Sequence, residues 1–229
     1  MTWVKICGIT NLEDALVAVD AGADAVGFVF YEKSPRCVSV EEARKIVEKL
    51  PAAVEKVGVF AGESLARIVE VGDLVNLDAL QVYPLSAHRR GSAMHAPVAQ
   101  TAKQKRVYLA LPMEKFVSRE EGITVDITKK PEGTFVAILL DSGGSQRPGG
   151  TGITFDWKEA APVVASLSRT EYVVIAGGLT PANVGDAMGA LWPWGVDVAS
   201  GVEASRGKKD PEKVRAFVRA VREMDQKAG

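Results

Sequence analysis

This sequence contains little cysteine, little histidine and almost no net charge, and each of these scarcities excludes a class of protein. The 229 residues include 2 cysteines and 2 histidines. At most one disulfide could form, and a chain of this length buries a large core without one, so we expect a reducing compartment. With 28 basic and 29 acidic residues, the chain carries no basic field that would attract nucleic acid or an anionic membrane.

Long apolar runs are also missing. No stretch reaches the roughly eighteen uncharged apolar residues that a membrane span needs, and the first residues lack the basic region and apolar core of a signal peptide. We therefore expect a cytoplasmic protein that has no membrane partner. A content of 47% hydrophobic and 25% charged residues is typical of a folded globular domain.

What the sequence does contain is an alternation of short β-branched runs with segments of helical spacing. The predicted strands are 3–7, 25–30, 54–60, 79–83, 106–111, 135–141, 172–176 and 196–200. The predicted helices are 12–21, 40–50, 64–71, 84–104, 157–166, 181–190 and 211–227. Asn11, Ser39 and Thr180 with Pro181 are expected to start three of these helices. The alternation predicts a single (β/α)8 TIM barrel over residues 1–229, with a short or irregular fifth helix.

Polar residues on the predicted strands mark one end of this barrel. Side chains alternate between the two faces of a strand, so Lys5 and Cys7 are expected inside the barrel, and so is Asp197 on the neighbouring eighth strand. We predict that Lys5 and Asp197 pair, because a lone ammonium in the interior would be strongly disfavoured. Asp141 closes the sixth strand at the same rim as Cys7. A buried cysteine is more often a small core residue, and an aspartate after a strand is more often a cap, but their shared rim favours a functional site.

Two glycine loops follow the seventh and eighth strands. Gly177-Gly178 and Ser200-Gly201 lie where barrels of this kind commonly bind phosphate through backbone N–H groups. Glycines often only make turns, yet two such loops on adjacent strands favour the phosphate site. The long loop 142–152 is either a cover for the substrate or a solvated connection. Arg36, after the second strand, is either a surface residue or a planar fork for a substrate carboxylate.

Motifs in chain order carry a resemblance to a known family. They are Lys-Ile-Cys-Gly-Ile-Thr at 5–10, the segment 22–30 with Ser-Pro-Arg at 34–36, Val-Gly-Val-Phe at 57–60, Leu-Leu-Asp at 139–141, Gly-Gly-Thr-Gly at 149–152 with Phe-Asp-Trp at 155–157, Gly-Gly-Leu at 177–179, Val-Asp-Val at 196–198 and Ser-Gly-Val-Glu at 200–203. In these motifs, which span nearly the whole chain, the sequence resembles phosphoribosylanthranilate isomerase of tryptophan biosynthesis.

The resemblance implies a reaction, an Amadori rearrangement of an aminoaldose to an aminoketose without cofactor or metal. It implies that Asp141 is the general acid and Cys7 the general base. It further implies that Arg36 holds the anthranilate carboxylate of a phosphorylated substrate and that the glycine loops hold its phosphate. The substrate-binding residues expected on this basis are Arg36, Gln81, Gly150, Thr151, Gly152, Gly177, Gly178, Ser200 and Gly201.

The sequence departs from this family at two strands. The fourth strand ends Gln-Val-Tyr-Pro at 81–84, where the family usually has Gln-Leu-His-Gly, and the fifth has Ala-Leu-Pro at 110–112, where a Lys-Ala pair is frequent. A catalytically silent or altered phosphate-binding barrel is therefore the alternative. Indole-glycerol-phosphate synthase usually has an extension before its first strand, and a metal-dependent epimerase needs histidine ligands at strand ends, where neither His88 nor His95 is expected.

Overall fold

Eight parallel strands close into a barrel in the computed structural model, which describes residues 1–83, 105–113, 136–143 and 154–228. The strands are β1 (Trp3–Cys7), β2 (Ala25–Val29), β3 (Glu55–Ala61), β4 (Ala79–Tyr83), β5 (Arg106–Pro112), β6 (Val136–Asp141), β7 (Tyr172–Ile175) and β8 (Gly195–Val198). Each strand pairs with the next, and β8 pairs with β1. The predicted (β/α)8 fold is confirmed, and the predicted strand ends differ from the observed ones by no more than two residues.

Helices connect the strands on the outside of the barrel. They are α1 (Leu12–Asp20), α2 (Val40–Val47), α3 (Leu65–Leu74), α4 (Trp157–Leu167), α5 (Val184–Leu191) and α6 (Pro211–Ala228). After β8 come a 3₁₀ turn (Ser200–Val202) and a small hairpin of β9 (Glu203–Ser205) and β10 (Lys208–Lys209). The predicted helix 84–104 and the predicted short fifth helix lie outside the described residues. Of the helices that are described, none has both the length and the apolar character of a membrane span.

Side-chain caps explain where two of the helices begin. Asn11 Oδ1 accepts a hydrogen bond from the Asp14 N–H at 2.9 Å, and Ser39 Oγ accepts one from the Glu42 N–H at 3.1 Å. Each cap satisfies one of the backbone donors that a helix leaves free at its first turn. Both predicted caps are confirmed.

The predicted start of the helix 181–190 at Thr180 and Pro181 is wrong, because α5 begins at Val184. The side chain of Asn183 bonds the preceding loop instead of capping the helix. Its Oδ1 accepts from the Thr180 N–H at 2.7 Å, and its Nδ2 donates to the Gly178 carbonyl at 3.1 Å. These bonds hold residues 180–183 in a turn, and that turn fixes the conformation of the loop after β7.

Two apolar layers flank the strands. The larger one fills the space between the barrel and its helices, whereas the smaller one lies inside the barrel and is rich in alanine at positions such as Ala25, Ala79 and Ala137. At the end of the barrel where the strands begin, Trp3 stacks on Tyr108 and on Trp194, with ring centroids 5.1 and 5.3 Å apart. These rings fill that end, so an open cavity is left at the end where the strands finish.

Candidate active site

A cavity that is open to solvent lies at the carboxyl ends of the strands. Seven of the predicted site residues line it: Cys7, Arg36, Gln81, Asp141, Gly177, Gly178 and Ser200. Gly201 lies in the 3₁₀ turn next to them, and Gly150, Thr151 and Gly152 lie outside the described residues. The cavity is therefore at the end of the barrel that the strand pattern indicated.

A buried ion pair lies beneath the cavity. Lys5 Nζ donates to Asp197 Oδ1 at 2.7 Å, and the Lys5 side chain is fully buried. The two residues face each other in the register between β1 and β8, so the predicted pair is confirmed. Burial lowers the pKa of Lys5, but Asp197 and then Cys7 more than offset this, and the pKa is raised overall. Lys5 therefore stays charged beside the cavity.

Cys7 is the last residue of β1 and is buried at the cavity wall. Its neighbour on β2 is Gly27, and a Cβ atom at that position would lie 2.8 Å from Cys7 Sγ. Glycine therefore makes room for the sulfur. Burial raises the pKa of the Cys7 thiol and Asp197 adds to this, while the positive charges of Lys5 and Lys209 act in the opposite direction.

Asp141 ends β6 and presents a buried carboxyl group to the same cavity. Oδ1 accepts a hydrogen bond from the Gly143 N–H at 3.0 Å, and Oδ2 accepts one from the Tyr83 hydroxyl at 2.8 Å. Burial raises the pKa of Asp141, although both hydrogen bonds favour the carboxylate. The site therefore has a carboxyl group that is held at both oxygens and is easier to protonate than one in water.

Arg36 is engaged by a carboxylate of the protein itself. Its Nε and Nη2 donate to Glu203 Oε1 and Oε2 at 2.6 and 2.8 Å. Lys209 Nζ, also buried, lies 3.2 Å from Glu203 Oε1 and donates to the Ala199 carbonyl at 3.0 Å. Within the described part of the chain, Arg36 Nη1 has no hydrogen-bond partner. Two cations share one carboxylate, so the cluster has a net charge of about +1 when all three groups are ionised.

The two glycine loops pack against their neighbours without space for side chains. A Cβ atom on Gly177 would collide with Ser142 of the loop after β6, and one on Gly201 would collide with the Leu179 carbonyl. Gly177 has a φ of +85°, which glycine adopts readily. The loops after β6, β7 and β8 therefore meet on one side of the cavity. Ser142 Oγ is buried there without a hydrogen-bond partner among the described residues.

Sequence reasoning missed three polar side chains of this site, namely Tyr83, Glu203 and Lys209. Tyr83 departs from the family pattern, and its spacing of two from Gln81 places both side chains on the inner face of β4. Glu203 and Lys209 lie beyond β8 in the small hairpin, where no strand periodicity predicts burial. Among the described residues there is no group of three or more His, Cys, Asp or Glu that could hold a metal ion.

Comparison with known proteins gives full-length similarity. The family profile described as N-(5'phosphoribosyl)anthranilate (PRA) isomerase matches residues 4–220. An N-(5'-phosphoribosyl)anthranilate isomerase of Pelobacter propionicus is 43% identical over 223 residues, which cover 97% of this chain and 97% of the relative. One of Pseudomonas fluorescens is 42% identical over 218 residues, covering 95% and 97% of the two chains.

Solved structures agree with this similarity. The phosphoribosyl anthranilate isomerase of Thermotoga maritima is 38% identical, with a TM-score of 0.77, and the match covers 97% of this chain and 100% of that one. A triosephosphate isomerase of Bartonella henselae is only 10% identical but has a TM-score of 0.67 over 96% of this chain, which shows the shared barrel fold. The chain belongs to the N-(5'-phosphoribosyl)anthranilate isomerase family.

Proposed function

We propose that this chain converts N-(5-phosphoribosyl)anthranilate to 1-(2-carboxyphenylamino)-1-deoxyribulose 5-phosphate in tryptophan biosynthesis. The observation that carries the proposal is that Cys7 and Asp141 line one cavity in a chain of this family. A solved relative supports it, because that isomerase was crystallised in complex with reduced 1-(o-carboxyphenylamino)-1-deoxyribulose 5-phosphate. The overall reaction is an isomerisation that gains and loses no atoms, so it needs no co-reactant.

Asp141 acts as the general acid and Cys7 as the general base. Asp141 protonates the ribose ring oxygen while the bond from that oxygen to C1′ breaks, and the nitrogen lone pair forms the C=N bond of an iminium ion. Cys7 then removes the proton from C2′, and the released electron pair forms the C1′=C2′ bond of an enolamine. Protonation at C1′ and loss of the 2′-hydroxyl proton give the ketone. The iminium ion acidifies the C2′ proton, so a moderate base suffices.

The reaction needs Asp141 protonated and Cys7 as a thiolate. Burial raises the pKa of Asp141, which favours the protonated acid. Burial also raises the pKa of Cys7 from its ordinary 9.0, so at neutral pH the thiolate is the minor form of Cys7. We assign the acidic limb of the activity profile to Asp141 and the alkaline limb to Cys7. Activity is therefore expected to be constant between the two pKa values and to fall outside them. The iminium charge that forms beside Cys7 favours the thiolate when the base is needed.

Arg36 binds the anthranilate carboxylate through the donors that Glu203 leaves free. Glu203 occupies the Nε and Nη2 edge of the guanidinium, so a second carboxylate approaches the edge formed by Nη1 and the other N–H of Nη2. Lys209 supports this by balancing the charge of Glu203. Without Lys209, the charges of Arg36 and Glu203 would cancel, and the site would have little attraction for an anion.

The phosphate lies at the loops after β7 and β8. Gly177, Gly178 and Ser200 offer backbone N–H groups and a hydroxyl there, and Ser142 Oγ is a buried donor that lacks a partner within the described ranges. Gln81 of β4 also lines the cavity. Its Oε1 is buried with no partner in the described residues, so it accepts a hydrogen bond from a hydroxyl or N–H group of the substrate.

Turnover by the purified protein tests this function. The substrate is fluorescent as an anthranilate conjugate, and we expect its fluorescence to decay with formation of the ketose phosphate, at a rate that a chelator does not change. Binding without turnover would instead support the alternative of a silent phosphate-binding barrel, which the tyrosine at position 83 favours. A rate that falls on chelation and returns with added metal would contradict the metal-free reaction.

A further inference from the structure

Tyr83 reaches across the barrel rim to a strand that is not its neighbour. Tyr83 ends β4 and Asp141 ends β6, and β5 lies between them. The phenol oxygen is nevertheless 2.8 Å from Asp141 Oδ2. The register of β4 with β5 pairs Gln81 with Tyr108, and two residues further along both strands Tyr83 falls beside Ala110. The methyl side chain of Ala110 leaves space for a phenol ring to cross.

The contact fixes the orientation of the Asp141 carboxyl group. One oxygen is held from its own loop by the Gly143 N–H, and the other is held from across the rim by Tyr83. Because the two donors come from different parts of the barrel, rotation of the carboxyl group would break at least one bond. Without the Tyr83 hydroxyl, Oδ2 would have no donor among the described residues.

The hydroxyl of Tyr83 is itself oriented by a neighbour. Gln81 Nε2 lies 3.4 Å from the phenol oxygen on the side chain two residues earlier in β4, which leaves the phenol proton to point at Asp141. Burial and then the charge of Asp141 raise the pKa of Tyr83 well above its usual range. The phenol therefore keeps its proton at neutral pH and remains a hydrogen-bond donor.

We propose that Tyr83 is a positioning residue for the isomerisation, which holds the Asp141 carboxyl group toward the substrate and sets its acidity. The inference rests on the proposed role of Asp141 as general acid. Tyr83 acts through Asp141 and transfers no proton to the substrate. It takes this role at the strand end where the sequence departs from the family pattern.

The direction of the expected pH effect follows from the groups that face Asp141. Burial and the charge of Asp197 raise the pKa of Asp141, whereas the Gly143 N–H, Tyr83 and Lys5 lower it. Cys7 faces the phenol from β1. Below its own pKa the thiol is protonated and carries no charge. Removing the phenol hydroxyl takes away one group that favours the carboxylate, so the pKa of Asp141 rises. The acidic limb of the activity profile therefore moves to higher pH.

The test is the pH dependence of kcat/KM for Tyr83→Phe with N-(5-phosphoribosyl)anthranilate as substrate. We expect the acidic limb to move up by roughly one pH unit, the effect of losing one hydrogen bond to a charged group. We also expect kcat on the plateau to fall about tenfold, because a carboxyl group free to rotate is less often aligned, while KM stays within about twofold of the parent because no substrate contact is lost.

Tyr108→Phe is the matched control. Tyr108 is also buried in the barrel, and its hydroxyl lies 2.8 Å from a carboxylate, that of Glu55, at the opposite end of the strands. We expect this variant to lose stability but to keep the acidic limb of the parent. If both variants shift the limb equally, the effect is a general loss of rigidity, and the proposal for Tyr83 is overturned.

Two further measurements separate this proposal from the proposed function. In an Asp141→Asn background, Tyr83→Phe should cause no further loss of activity, and an additional loss would show that Tyr83 acts independently. A ¹³C NMR titration of the Asp141 carboxyl carbon needs no turnover, and an unchanged midpoint in Tyr83→Phe overturns the inference. If the unmodified protein turns over the substrate and its acidic limb lies at the same pH as that of Tyr83→Phe, the role of Tyr83 is refuted and the proposed function stands. If the unmodified protein shows no turnover, the proposed function is refuted.

Discussion

Replacing Lys5 by methionine removes the positive half of the ion pair inside the barrel and leaves Asp197 without its counterion. The ammonium is 2.7 Å from Asp197 Oδ1, and the two side chains are 0% and 9% exposed, so water cannot replace it. Breaking such a buried pair costs about 3–5 kcal/mol. For a domain of this size each kcal/mol corresponds to roughly 2–4 °C, so the midpoint of thermal unfolding should fall by roughly 6–20 °C.

The assay is thermal unfolding followed by circular dichroism, with two comparison variants. Lys45→Met removes an ion pair with Glu41 of the same 2.7 Å length, but its side chains are 58% and 73% exposed, so we expect no measurable change. Lys5→Met combined with Asp197→Leu removes both charges and should recover most of the loss. A Lys5→Met variant as stable as the parent, or a double variant whose losses simply add, would refute the reasoning.

Three other changes test separate parts of the site. Lys209→Met leaves the charges of Arg36 and Glu203 to cancel, so KM should rise about tenfold, the equivalent of one charged hydrogen bond; an unchanged KM contradicts that arrangement. Gly27→Ala should lower kcat about a hundredfold, because the new methyl group pushes the Cys7 sulfur aside by roughly 1 Å. Gly185→Ala is the control, because a Cβ atom there lies 3.5 Å from the nearest atom, and it should leave kcat unchanged. In the parent, activity should persist to pH 9.0 and fall only above it, because the pKa of Cys7 is raised from that ordinary value; a fall centred near pH 7 would show that another group controls the alkaline limb.

The barrel and its interior could be predicted because strand periodicity is a local property. Alternation in the first and eighth strands placed Lys5 and Asp197 on inner faces, and closure of eight parallel strands made them neighbours. The caps at Asn11 and Ser39 were predictable for the same reason, since a cap bonds a backbone group three residues away. The start of α5 was not, because Asn183 bonds backward to the loop.

The polar partners in the site depend on stagger and loop geometry that a sequence does not specify. Tyr83 reaches Asp141 over an intervening strand, and periodicity assigns a side chain to a face but not to a partner two strands away. Arg36 was predicted as a fork for a substrate, and the structure shows that one edge of the fork binds Glu203. That pairing depends on how residues 200–209 fold after β8, which follows no repeating pattern.

The acid and base assignments are the centre of this account, and rate measurements on Cys7→Ser and Asp141→Asn test them most directly. Both variants should consume N-(5-phosphoribosyl)anthranilate at least about a hundredfold more slowly than the parent, the usual minimum for losing a general acid or base. Cys37→Ser, at an exposed cysteine outside the cavity, should match the parent. Parent-like rates in both Cys7→Ser and Asp141→Asn would contradict the proposed mechanism.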